Sequence, residues 1–115
     1  MRLLITALLA ALPAAADPPE IVAATATRSG DGWTFTVTLR HADTGWDDYA
    51  DGWRVLAPDG KVLGERVLYH PHVEEQTFTR SLTGVAIPDG TPQVRIEARD
   101  SVGGWSGITQ PLTLR

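Results

Sequence analysis

Trp33-Thr34-Phe35-Thr36-Val37-Thr38-Leu39-Arg40 alternates without a fault between large apolar side chains and polar ones. Successive side chains of an extended chain point to opposite faces. Trp33, Phe35, Val37 and Leu39 therefore share one face, and the threonines and Arg40 share the other. Aromatic and β-branched residues also suit a pleated, half-buried surface. The stretch reads as a strand with one face in a core, and it sets the fold class.

Working outward, Ile21 to Arg28 is a weaker strand, joined to the first through Ser29-Gly30-Asp31-Gly32, a tight-turn signal. Trp53 to Ala57 and Lys61 to Tyr69 flank Pro58-Asp59-Gly60, a second hairpin signal. Gln76 to Val85 is extended and mixed. Pro88-Asp89-Gly90 then turns the chain into Gln93 to Arg99, where Val94, Ile96 and Ala98 face inward, and Ile108 to Leu114 closes the series. No segment carries a convincing helical period. About seven short strands at roughly ten-residue spacing predict an all-β fold, an immunoglobulin- or fibronectin-III-like antiparallel β-sandwich.

Residues 1–16 read as an export signal. Arg2 supplies the positive start, Leu3 to Leu12 the apolar run, and Pro13-Ala14-Ala15-Ala16 a small-x-small end before Asp17. The run is too short to cross a hydrocarbon layer of roughly 30 Å, so no membrane insertion is expected once the signal is gone. Removing 16 of 115 residues leaves 99, one modest domain at 17–115. Arg2 leaves too, taking the formal net charge from −4 to −5. That balance argues against nucleic acid as a partner. The expected location is periplasmic or secreted. With no cysteine, the domain stands on its core alone and offers no thiolate to a metal.

Val94-Arg95-Ile96-Glu97-Ala98-Arg99-Asp100-Ser101-Val102-Gly103-Gly104-Trp105-Ser106 resembles the F strand, FG loop and start of the G strand of fibronectin type III modules. A wider pattern takes in Tyr49-Ala50-Asp51, Trp53, Pro58-Asp59-Gly60, His70-Pro71-His72 and Phe78-Thr79-Arg80-Ser81-Leu82. It is similar to small exported bacterial proteins of unassigned function, and implies no activity.

Antiparallel strand order sorts the loops. The turns at 29–32, 58–60 and 88–91 share one end of a sandwich, and the segments at 41–52, 70–75 and 100–105 share the other. The second end collects His41, Asp43, Asp47, Asp48, Asp51, His70, His72, Glu74, Glu75, Asp100 and Trp105. Binding residues tend to occupy loops held by a rigid scaffold, so this pole is the expected binding end.

Within it, His70-Pro71-His72 places two imidazoles on one side of an extended chain. With His41 and Glu74 they form the expected metal-ligand set, in a nitrogen and carboxylate chemistry suited to Zn²⁺ or Cu²⁺. The same residues also fit a polar turn. Asp43 to Asp51 has oxygen donors for Ca²⁺ but not the spacing of an EF-hand loop. Trp46, Tyr49 and Trp105 are candidate aromatic anchors for a periplasmic or extracellular protein or peptide, or stacking platforms for a sugar. No enzyme is expected. Ser106 lies in Gly104-Trp105-Ser106-Gly107-Ile108, which lacks the last glycine of a nucleophile elbow. A domain of this size also has little room for a water-excluding cleft.

Overall fold

The computed structural model describes residues 17–115; the expected export signal at 1–16 lies outside them. Seven strands are present: β1 (Glu20–Ser29), β2 (Gly32–Arg40), β3 (Ala50–Leu56), β4 (Val62–Val67), β5 (Thr77–Val85), β6 (Gln93–Asp100) and β7 (Gly104–Thr113). They form two antiparallel sheets, ordered β1-β2-β5 and β4-β3-β6-β7. The all-β sandwich expected from the alternation is thus the observed architecture.

The alternating stretch occupies β2, the central strand of the smaller sheet, where Trp33, Phe35, Val37 and Leu39 are buried. They meet Ala50, Trp53 and Val55 of β3 and Val94, Ile96 and Ala98 of β6 in one core. On the outer face, Thr36 pairs with Ser81 at 2.9 Å and Thr38 with Thr79 at 2.7 Å, so the exposed hydroxyls of β2 and β5 also bond across strands.

Two glycines show how close the chain must pass. Gly30 is the first central residue of the β1–β2 turn and has φ +60°, the left-handed conformation that favours glycine at that position of a II′ hairpin. Gly64 on the edge strand β4 faces the other sheet. A Cβ there would stand 3.0 Å from Leu82 Cδ2, so the missing side chain lets the two sheets close at that seam.

Several strand ends differ from expectation, and two of them shape the pole. β3 begins at Ala50, not Trp53, because Ala50 already pairs with Asp100 of β6. β7 begins at Gly104, because Asp100 Oδ1 accepts the N–H groups of Val102 at 2.7 Å and Gly103 at 3.1 Å and tightens the turn. Both extensions carry strand pairing up to the pole that holds the histidines. At that pole His41 leaves the end of β2, Asp100 ends β6, and the β4–β5 connection brings His72 alongside.

Phe35→Ala should cost about 3–5 kcal/mol, since the ring is fully buried at the centre of the core. Urea unfolding followed by tryptophan fluorescence measures it; a loss under about 1 kcal/mol would place the core elsewhere.

Candidate functional site

The pole is organised by a buried carboxylate. Asp43 Oδ1 accepts a hydrogen bond from His41 Nδ1 at 2.5 Å and one from the Ala50 N–H at 3.0 Å. Its Oδ2 accepts the His72 N–H at 2.7 Å. Asp43 is 1% exposed, and one side chain thus ties the β2–β3 and β4–β5 loops to the start of β3. The third loop is tied by backbone, where Ser101 N–H donates to Tyr49 O at 2.9 Å.

The Asp43 bond orients the imidazole of His41. With Nδ1–H committed to Asp43, Nε2 faces an oxygen-lined pocket. Asp100 Oδ2 and the Asp17 carbonyl oxygen each lie 2.9 Å from Nε2, and Asp48 Oδ1 lies 3.8 Å away. One ligand atom each from His41, Asp48 and Asp100 falls within 4.8 Å of the others. The single N–H at Nε2 is directed at the Asp17 carbonyl. With both carboxyls ionised, Asp48 Oδ1 and Asp100 Oδ2 are consequently buried acceptors without a hydrogen-bond partner. Such orphaned groups are rare and call for a cause, an ion among them.

The charges agree with this geometry. Burial opposes the imidazolium of His41, but the Asp43 hydrogen bond and the charges of Asp100 and Asp43 outweigh it and raise its pKa above 6.5. Asp48 is pushed above the ordinary carboxylate range first by the hydrogen bond its protonated form can give the Asp100 carboxyl, and then by burial. Burial also works against ionised Asp100. Asp48, the two backbone N–H groups and His41 nevertheless hold its pKa below the usual value. A proton at Nε2 therefore compensates negative charge that a cation could compensate instead.

A cleft of about 130 Å³ reaches Asp100 between Pro18, Gly103, Gly104, Trp105 and Ser106. Organic ligands need roughly 300–1,000 Å³, so this opening suits an ion with its water. A wider groove of about 370 Å³ runs between the start of β1 and β7, but among the described residues its only ionisable lining group is Glu20.

Of the expected metal set, His41 alone belongs to this cluster. His70 and His72 do come together, with ring centroids 5.2 Å apart. His72, however, is buried and stacked on Phe78 at 3.9 Å, and its Nε2 lies 2.9 Å from Arg80. A guanidinium can only donate, so that lone pair is already used. Burial first, then the Arg80 charge, lowers the His72 pKa and keeps the ring neutral. His70 and Glu74 are exposed. The His-x-His spacing is thus a buried brace beside an exposed ring, and the ligand-range partners of His41 are two aspartates. The loop sorting had gathered Asp43, Asp48 and Asp100 at this pole, but no local spacing links residues so far apart in the chain. The Asp17 carbonyl has no sequence signal at all.

The aromatic candidates divide. Trp46 is 68% exposed and packs edge-to-face on Tyr49 at 5.6 Å. Trp105 instead lies beneath Arg54 at 3.9 Å and beside Arg99 at 5.3 Å, with Arg54 paired to Glu97 at 2.6 Å and Arg99 to Asp51 at 2.9 Å. That stack covers the outer face of the larger sheet and half-buries the indole.

Comparison with known proteins gives one partial match. Seventy-three residues, 64% of this chain, are 44% identical to a protein of Halomicrobium mukohataei named "Putative lipoprotein". The chain spans about a third of that protein's length, 35%. No family model and no solved structure matches.

Asp43→Ala should destabilise by about 1–3 kcal/mol for each N–H it orphans, at Ala50 and His72, with Asp43→Asn costing less. Denaturant titration of the three proteins checks the order. His41 binds its proton more tightly folded than unfolded. Its stabilisation is therefore full below the unfolded value of about 6.5 and is lost as pH rises through the raised folded value. The stability gap between the natural chain and His41→Gln should be widest in mildly acidic buffer and narrow in alkaline buffer.

Proposed function

We propose that this chain is an exported, non-catalytic binding module whose long-loop pole takes a divalent cation through His41, Asp48 and Asp100. The observation that carries the reading is the pair of buried oxygens that accept no hydrogen bond, Asp48 Oδ1 and Asp100 Oδ2, lying 3.8 Å and 2.9 Å from His41 Nε2. Asp43 supplies the outer carboxylate that such a histidine ligand ordinarily has. One imidazole with carboxylate oxygens suits Zn²⁺ or Cu²⁺ better than Ca²⁺, which takes about 6–8 oxygens. The leader-like pattern at 1–16 and the name of the Halomicrobium protein both favour the cell envelope or exterior. The three-plus-four division of strands supports the likeness to fibronectin type III modules. Against catalysis, the Ser106 hydroxyl closes a local turn with Ile108, and the cleft is ion-sized.

A second reading rests on Trp46. An indole so exposed, braced against Tyr49, is the kind of anchor that protein interfaces use, and an exported protein or peptide is its natural partner. The two readings are compatible, because Trp46 and Asp48 share a loop.

Zn²⁺ and Cu²⁺ titrated into the 17–115 chain should raise its stability by about 2.7 kcal/mol at a hundredfold excess over the dissociation constant. Asp48→Ala, which removes a half-buried ligand, should weaken binding at least about tenfold. His70→Ala should leave binding unchanged. No calorimetric heat and no melting shift at millimolar metal would end the cation reading, and loss on His70→Ala would move the site to the His-Pro-His segment.

A further inference from the structure

The residue at which the described chain begins is part of the pocket. The Asp17 carbonyl oxygen is 2.9 Å from His41 Nε2, and Pro18 forms a wall of the cleft beside Asp100. Pro19 is buried. Two consecutive prolines have fixed φ and little conformational freedom to lose, so they hold Asp17 at the cluster at small entropic cost.

The leader-like pattern ends at Ala16, and cleavage there would turn the Asp17 nitrogen from an amide into an α-amine. The two are different donors. An amide nitrogen has its lone pair delocalised into the carbonyl, whereas a neutral amine offers it to a metal. A residue before proline is biased to ψ of about +120 to +160°, which puts its nitrogen and carbonyl oxygen on the same side of the Cα–C bond. From that arrangement both atoms can bind one ion in a five-membered ring.

We propose that the α-amino group of Asp17, freed by removal of residues 1–16, is a ligand of the cation held by His41, Asp48 and Asp100, so that the site is complete only in the processed chain. The inference rests on the cation reading of that cluster. The donor set becomes two nitrogens (amine and imidazole) with three oxygens (the Asp17 carbonyl and two carboxylates). Mixed nitrogen and oxygen donors of this kind suit Cu²⁺ and also serve Zn²⁺. The two carboxylates balance the charge of a divalent ion. Export and metal loading are thereby coupled, because the unprocessed chain presents an amide at the same point.

Three proteins test this: the chain beginning at Asp17, the same chain with Gly-Ser placed before Asp17, and the first chain grown with ¹⁵N-labelled aspartate. Cu²⁺ and Zn²⁺ are titrated by calorimetry into the first two, whose metal-free melting temperatures are compared. The Gly-Ser extension should weaken Cu²⁺ binding at least about tenfold, the scale on which lost partners of a metal site register. In the labelled chain the aspartates offer the ion only oxygen, apart from the Asp17 amine. A change in the nitrogen couplings of the Cu²⁺ paramagnetic resonance spectrum therefore reports that amine, and needs no variant to fold. Equal affinity of the extended chain, with unchanged couplings, would overturn the role of Asp17 and leave the His41–Asp48–Asp100 reading standing. Failure of every chain to bind would remove the cluster reading and this one with it.

Discussion

The carboxylate of Asp43 is the constraint on which the loop pole depends. An ionised group taken out of water is tolerated only when its lone pairs are satisfied, and Asp43 meets that demand with one imidazole and two backbone N–H groups. Those three donors come from the end of β2, the start of β3 and the β4–β5 loop. Satisfying one buried charge therefore fixes three segments of chain relative to one another. The orientation of His41, and so the direction of Nε2, follows from the same requirement.

The sheets below impose the rest. Strand pairing reaches Ala50 and Asp100 across an irregularity at Asp51, and this register sets Asp100 against the loop that carries Asp48. The negative pocket around Nε2 thus joins a strand-held carboxylate, Asp100, to loop residues fixed through Asp43. Two carboxylates are brought closer together than their mutual repulsion favours in water, and a positive charge between them offsets the cost. A proton on His41 serves that purpose, and a metal ion would serve it too.

The fold was largely legible in the residues because its signals are local. The period of two in Trp33–Arg40 and the Gly, Pro and Asp turns specify strands and their order, and order alone sorted the loops into two poles. The site was legible only as a neighbourhood. Which histidine turns towards the aspartates depends on Asp43, whose bonds reach from 2 to 29 positions along the chain. The pairing of His72 with Arg80 and Phe78 likewise arises from packing. His-x-His spacing has no access to either fact. The aromatic residues show the same limit, since Trp46 and Trp105 both lie at loop positions and only three-dimensional packing separates an exposed indole from one roofed by arginine.

The two ends of the sandwich bear unequal obligations. At the end of the short turns no buried charge links one turn to the next among the described residues, whereas His41, Asp43, His72 and Asp100 are all buried at the other. Lengthening such a turn costs little, because loop-closure entropy grows only with the logarithm of length. At the other end a single inserted residue would shift a donor away from Asp43. Insertions, fusions and variation in length are therefore expected to accumulate at one end of the sandwich while the other is inherited almost residue for residue.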